Sequence, residues 1–142
     1  MIEEKFYTFS DFTRNINNSL TPCEEDYLEM IYRIHLQTNL PIRVNDLANK
    51  LNVKPPSVTK MIKKLSNKNI ISFERYKHIL LLDKGIELGE FLINRHNTIE
   101  KFLKLLHANI NLTYETEKIG HTLNNETLNK INVLVNFFGN NE

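Results

Sequence analysis

The sequence PPSVTKMIKKL, residues 55–65, combines a helix start with the pattern of an amphipathic helix. A proline at the first position of a helix loses no useful backbone N–H, so the pair favours a helix that begins at Pro55. Four apolar residues recur at helical spacing and predict the buried face: Val58, Met61, Ile62 and Leu65. The outer face is left small, polar and basic, with Ser57, Thr59, Lys60, Lys63 and Lys64.

The residues before Pro55 predict a partner helix. Leu47, Ala48 and Leu51 share one helix face, Asn45 is the expected N-cap, and residues 52–54 form the expected turn. Two short helices joined by a turn of about three residues, with a polar and basic outer face, are typical of a helix-turn-helix.

The basic charge of the chain is concentrated around this motif. The net charge is only +1, yet residues 54–77 contain seven basic residues against one acidic residue, Glu74. A charge run by itself is equally typical of a solvated helix face. Its position on the second helix of the motif favours contact with duplex DNA, with Lys60, Lys63 and Lys64 on phosphates and Pro56, Ser57 and Thr59 in the groove.

A winged variant of the motif is indicated downstream. Residues 70–73 and 79–82 are rich in β-branched and large apolar residues and predict two strands. The polar segment between them contains Arg75 and Lys77, which we expect to reach the phosphate backbone or the minor groove.

Helices are predicted on both sides of the winged motif. Thr21, Pro22 and Glu24 predict a helix start, and an apolar stripe continues to about residue 37. Downstream, a helix is expected over about 84–107. Thr113 is the expected cap of a further helix to about 123, and Asn125 that of a last helix to about 138. The fold class is thus mainly α with a small β-wing: an N-terminal extension over 1–20, a winged helix-turn-helix domain over 21–83, and a helical dimerisation domain over 84–142.

The apolar faces of the later helices indicate a second copy of the chain. The last helix is expected to point five residues inward: Leu128, Ile131, Leu134, Val135 and Phe138. A three-helix DNA-binding unit is too small to cover these faces, so we expect a homodimer and a palindromic DNA target.

Composition excludes several other classes. There is no signal peptide and no apolar run long enough for a bilayer, so a cytoplasmic protein without a membrane partner is expected. The single cysteine, Cys23, permits neither an internal disulfide nor a thiolate zinc site. No nucleophile motif, glycine-rich phosphate loop or HExxH pattern is present, so neither an enzyme nor a small organic substrate is expected.

Residues 21–138 resemble the manganese transport regulators of the diphtheria-toxin-repressor family. The similarity runs through 55–65, 75–77, 82–85, 94–96, 100–103 and 131–138. It implies a transcriptional repressor of metal-homeostasis genes that binds DNA when it holds Mn(II), or Fe(II) or a similar divalent ion. The implied metal ligands are Asp26, Glu29, His96, Glu117 and His121, with Glu100 as a secondary candidate.

The chemistry of these residues agrees with that implication. Asp26 and Glu29 are three residues apart, and Glu117 and His121 are four apart, so each pair projects from one side of a helix. Carboxylates with imidazoles and no thiolate suit Mn(II) or Fe(II) better than Cu(I). Plain alternatives exist, because acids favour the first turn of any helix and the second pair is a common helix pairing.

Gly120 departs from the family pattern, which has a carboxylate immediately before the later histidine. The departure predicts a degraded site, and three outcomes are open: a single metal ion, a weaker or altered metal preference, or a metal-independent winged-helix regulator. An enzyme using His96, Glu100 and His121 is the alternative from a different class.

Overall fold

The computed structural model describes residues 20–38, 40–73, 78–106 and 112–140, which form six helices and three short strands. They belong to two compact units, and the boundary between Ile93 and Asn94 lies within the longest helix. We call residues 22–93 the winged unit and residues 94–142 the helical unit. None of the helices in the described ranges is long and apolar enough to cross a membrane.

The winged unit contains the predicted helix-turn-helix and β-hairpin. In chain order its elements are α1 (Pro22–Thr38), β1 (Ile42–Arg43), α2 (Val44–Leu51), α3 (Pro55–Asn67), β2 (Ile71–Phe73), β3 (His78–Leu81) and the first half of α4 (Asp83–Leu105). β3 is the central strand and pairs antiparallel with β2 on one side and with β1 on the other. The two-residue β1 was not predicted, because so short a strand leaves no alternating pattern.

The turn between α2 and α3 depends on Asn52. This residue adopts the left-handed conformation, with φ 55° and ψ 47°, which asparagine tolerates better than most residues. The following N–H, of Val53, donates to the Ala48 carbonyl at 3.0 Å and closes α2. Pro55 then begins α3 as predicted.

The predicted N-cap of α2 was wrong. β1 runs directly into α2, so the extended residue Arg43 is the N-cap and Asn45 lies inside the helix. Arg43 makes no side-chain capping hydrogen bond.

The apolar face of α3 is the centre of the winged core. Val58, Ile62 and Leu65 are fully buried, whereas Met61 lies at the half-buried edge. α3 packs against α1, α2 and β2. The neighbouring elements contribute further fully buried side chains: Leu28, Ile31, Leu47, Ile71 and Ile79.

The helical unit contains the second half of α4, α5 (Leu112–Gly120) and α6 (Asn125–Asn140). α5 begins one residue before the predicted cap, Thr113, and ends at Gly120, short of the predicted end near residue 123. Asn124 caps α6, because its side-chain oxygen accepts the Thr127 N–H at 2.7 Å, so the prediction of Asn125 as the cap was wrong by one residue.

One face of α6 is not covered by the described part of this chain. Leu128 and Val135 are buried as predicted, and Ile131 is half-buried. The prediction that Leu134 and Phe138 point inward was wrong for the single chain, in which these side chains are 45% and 49% exposed. Val133 and Phe137 are also exposed.

Gly85 allows the start of α4 to lie against the backbone at Ile70. A Cβ at position 85 would lie 2.1 Å from the Ile70 carbonyl oxygen, which already accepts the Leu82 N–H at 3.1 Å. We therefore expect Gly85→Ala to lower the free energy of unfolding by about 1–3 kcal/mol, because backbone must move to admit the methyl group. Urea unfolding followed by circular dichroism measures the loss.

Gly139→Ala is the matched control, because in the described part of the chain a Cβ built at that position meets no atom within 4 Å beyond its chain neighbours and its own helix backbone. It should leave the unfolding midpoint nearly unchanged. Equal midpoints for Gly85→Ala and the parent chain would show that a methyl group at position 85 fits against the Ile70 backbone without loss of stability.

Candidate metal centre and nucleic-acid interface

The outer face of α3 is exposed and basic, as predicted. Lys60, Lys63 and Lys64 are exposed, and their spacing places them on one side of the helix. Within the described ranges none of the three is engaged in an ion pair. Because burial of the opposite face fixes the rotation of α3, this positive surface is held facing solvent.

The three residues at the start of α3 that were predicted to enter the groove differ in their ability to donate hydrogen bonds. Pro56 and Ser57 are exposed. The Thr59 hydroxyl donates to the Pro55 carbonyl at 3.2 Å, within its own helix. Its proton is therefore engaged, and Ser57 is the better hydrogen-bond donor toward a groove.

Lys68 does not belong to this free basic surface. Its ammonium lies 2.6 Å from a carboxylate oxygen of Glu24 in the first turn of α1, and the Glu24 side chain is only 6% exposed. Sequence reasoning missed the pair because the two residues are 44 positions apart.

The remaining predicted DNA contacts, Arg75 and Lys77, lie outside the described residues. The strands on either side are present: β2 ends at Phe73 and β3 begins at His78. The hairpin that the sequence predicted is therefore formed by Ile71↔Leu81, Ser72↔Leu80 and Phe73↔Ile79 pairing.

In the helical unit, three of the predicted metal-site residues meet. His96 of α4 lies between two carboxylates: its Nδ1 is 2.5 Å from Glu117 Oε1 on α5, and its Nε2 is 2.9 Å from Glu100 Oε2 one turn along α4. The His96 side chain is 12% exposed, so the cluster is partly shielded from water. This contact joins α4 to α5.

Glu100 is held by a lysine that sequence reasoning did not single out. Lys104 Nζ lies 3.0 Å from Glu100 Oε1, while Glu100 Oε2 faces His96. The hydrogen bond from Lys104, and next the one from His96, lower the pKa of Glu100 against the opposing effect of burial. Glu100 is thus a carboxylate at neutral pH with both oxygens engaged.

This donor set fits a divalent cation of intermediate hardness. Only a doubly protonated imidazole can donate to both carboxylates, so a metal ion would replace a proton on one ring nitrogen. The carboxylate on the other nitrogen would then orient the ring, as is usual for histidine ligands. Oxygen and imidazole donors without a thiolate suit Mn(II) or Fe(II).

His121 is placed differently, beside a buried arginine. Arg95 is 4% exposed, and its Nη2 lies 3.5 Å from His121 Nδ1. A Cβ at Gly120 would lie 3.0 Å from Arg95 Nε, so the missing side chain makes room for the guanidinium. A buried positive charge therefore occupies the space beside the residue at which a family carboxylate was expected.

Asp26 and Glu29 lie on α1 in the winged unit. Asp26 is exposed, and Glu29 is half-buried. Glu29 Oε1 lies 3.5 Å from Arg33 Nη2, one turn along the helix. Arg33 is itself 39% exposed, which leaves this weak pair open to exchange for another cation.

Two family models match almost the whole chain. Residues 19–79 match the iron dependent repressor N-terminal DNA binding domain, and residues 82–142 match the iron dependent repressor metal binding and dimerisation domain.

Two curated relatives are similar over most of the chain. The HTH-type transcriptional regulator MntR of Geobacillus thermodenitrificans is 39% identical over 119 residues, which are 83% of this chain and 84% of the relative. The MntR of Oceanobacillus iheyensis is 38% identical over 83% of this chain and 80% of the relative.

Solved structures agree with the fold. The metal-dependent transcriptional regulator MtsR has a TM-score of 0.73 and 35% identity, and the manganese regulator SloR has a TM-score of 0.70 and 30% identity. Each comparison covers 83% of this chain but 55% of the solved chain, so this chain spans about half the length of those structures.

The exposed face of α3 predicts a specific salt effect at Lys60. If its ammonium neutralises a phosphate, Lys60→Ala weakens binding to every duplex and makes the slope of log affinity against log salt shallower by about 0.9 per bound subunit. Fluorescence anisotropy with a mixed-sequence duplex over a salt series measures this.

Lys130→Ala serves as the control, because Lys130 is an exposed lysine of α6 paired only weakly with Glu126 at 3.5 Å. Its salt slope should equal that of the parent chain. Identical slopes for Lys60→Ala and Lys130→Ala would remove Lys60 from the DNA interface.

Proposed function

Because this chain belongs to the iron-dependent repressor family, we propose that it is a homodimeric repressor of metal-homeostasis genes whose affinity for a palindromic DNA site rises when it binds Mn(II). As a member of that family it is a DNA-binding transcriptional regulator. The choice of metal and operator is our proposal. The observation that supports the choice of metal is the position of His96, whose two ring nitrogens each face a carboxylate, one from α4 and one from α5.

The metal assignment follows from the donors. We assign Asp26, Glu29, His96 and Glu117 as the principal ligands, with His121 as a further one. Glu100 is the orienting carboxylate of His96, because Lys104 already neutralises it. The names of MntR and SloR favour manganese over iron for the bound ion. When bound, the metal supplies a positive charge that these carboxylates require, and it needs no redox chemistry.

DNA contact is assigned to α3 and the wing. The exposed lysines Lys60, Lys63 and Lys64 bind phosphates, and the exposed N-terminal end of α3 enters the major groove with Pro56, Ser57 and Thr59. Arg75 and Lys77 of the wing add backbone contacts. Since serine and threonine distinguish bases poorly, part of the specificity comes from the shape of the duplex.

A second copy of the chain is the occupant we assign to the uncovered face of α6. Val133 and Phe137 are 69% and 61% exposed, and Leu134 and Phe138 extend the same apolar surface. An apolar patch of this kind marks an interaction site, and the matched dimerisation domain includes these residues.

We further propose one metal ion per subunit. The guanidinium of Arg95 is buried against Gly120 and beside His121, where it adds a permanent positive charge. A second divalent ion in the same place would meet both that charge and the absence of a carboxylate at position 120. Arg95 therefore replaces the charge that a second ion would bring.

The ligand assignment predicts the effect of two single substitutions. His96→Ala and Glu29→Ala should each abolish the gain in DNA affinity produced by Mn(II), because each removes one donor from the site, while the dimer persists. Anisotropy titrations with and without Mn(II), on a duplex selected from a random-sequence pool by the Mn(II)-loaded chain, measure the gain.

Glu126→Ala is the control for Glu29→Ala, since the Glu126 side chain is 79% exposed and lies 3.5 Å from that of Lys130, which is almost equally exposed. Parent-like metal responses in both His96→Ala and Glu29→Ala would refute the site. A parent chain that binds DNA equally with and without Mn(II) would instead identify a metal-independent regulator, the alternative that the buried Arg95 favours.

The stoichiometry prediction concerns the parent chain itself. Equilibrium dialysis with metal analysis should find about one Mn(II) per subunit at saturation, with the electron paramagnetic resonance spectrum of isolated Mn(II) ions. Two ions per subunit with an exchange-coupled spectrum would contradict the role given to Arg95.

A further inference from the structure

The ion pair between Glu24 and Lys68 joins α1, which carries two of the assigned metal ligands, to α3, which carries the exposed lysines. Glu24 lies in the first turn of α1, two residues before Asp26. Lys68 is the C-cap residue of α3, the helix with the exposed lysines. The two charged atoms are 2.6 Å apart, and the contact is partly shielded from water, because the Glu24 side chain is 6% exposed and the Lys68 side chain 33% exposed.

The position of each residue on its own helix favours the pair. An acidic side chain stabilises the positive N-terminal end of α1, and a basic one stabilises the negative C-terminal end of α3. The backbone of Lys68 is also fixed, because its N–H donates to the Leu65 carbonyl at 3.2 Å. Both ends of the contact are thus anchored to helix backbone rather than to mobile loops.

We propose that Glu24 and Lys68 are positioning residues that make α1 and α3 move as one body, so that a metal ion held by Asp26 and Glu29 sets the position of the DNA-contacting helix. This inference rests on the proposed function. A partly buried ion pair adds little net stability but favours one relative arrangement of the groups that carry it.

The pair is separate from the DNA surface and from the assigned ligands. Lys68 is directed to Glu24 and not to the row formed by Lys60, Lys63 and Lys64, and Glu24 is not among the assigned ligands. A loss of response on changing Lys68 would therefore reflect transmission between helices. Direct loss of a ligand or of a phosphate contact would not explain it.

The experiment compares Lys68→Met with the double variant Glu24→Lys, Lys68→Glu, in the full-length chain. The ratio of DNA affinity with Mn(II) to that without Mn(II) should fall about fivefold in Lys68→Met. Mn(II) affinity measured by calorimetry without DNA should stay within about twofold, because no ligand is changed. The charge-reversed pair should recover most of the ratio. Lys130→Met, which loses an exposed lysine, should keep the parent ratio.

A ratio in Lys68→Met equal to that of the parent overturns the proposal, and so does a folded charge-reversed variant that recovers none of it. Hydrogen exchange in the metal-free chain provides a second readout. In Lys68→Met the amides in the first turn of α1 and in the last turn of α3 should both exchange faster than in the parent chain. This increase should remain after any change in the global free energy of unfolding is subtracted.

If the parent chain shows no response to Mn(II), the proposed function fails. The exchange measurement still decides the positioning role, because unchanged exchange at both helix ends shows that the pair does not join α1 to α3.

Discussion

The burial of one face of α3 is the constraint on which the rest of the winged unit depends. Val58, Ile62 and Leu65 have no exposed surface, and removing three such side chains from water contributes several kcal/mol at about 1.5–3 kcal/mol each. Helical periodicity leaves no freedom once this face is fixed, so Lys60, Lys63 and Lys64 must face outward. The position of the basic surface is therefore a consequence of the apolar core and requires no specific polar contact.

The charged side chains around the candidate metal site, in contrast, are positioned by direct contacts with one another. In the helical unit Lys104 neutralises Glu100, and Glu100 and Glu117 clamp His96. Arg95 brings a positive charge beside His121, in space left by Gly120. Direct pairing of charged side chains, rather than burial of an apolar face, therefore sets the charge balance around His96 and His121.

Local patterns in the sequence predicted the helices, the turn at Asn52 and the wing, because periodicity and conformational preference act over a few residues. They did not predict β1, whose two residues are a strand only through pairing with β3. They placed the caps of α2 and α6 wrongly by one or two residues, since caps depend on how the chain enters a helix. Leu134 and Phe138 were expected to face inward because periodicity identifies an apolar face but not the molecule that covers it.

The same limit applies to the candidate sites. Spacing placed Asp26 with Glu29, and Glu117 with His121, on one side of a helix, because the two members of each pair are about one helical turn apart. The contacts of His96 with Glu117, Arg95 with His121 and Glu24 with Lys68 join residues 21, 26 and 44 positions apart, and no short pattern encodes them. Gly120 shows the difference most clearly. In the sequence it is only a missing carboxylate, whereas in the fold its empty side-chain position accommodates a guanidinium. The same position thus lacks a negative side chain and leaves room for a positive one, and both features make its surroundings more positive.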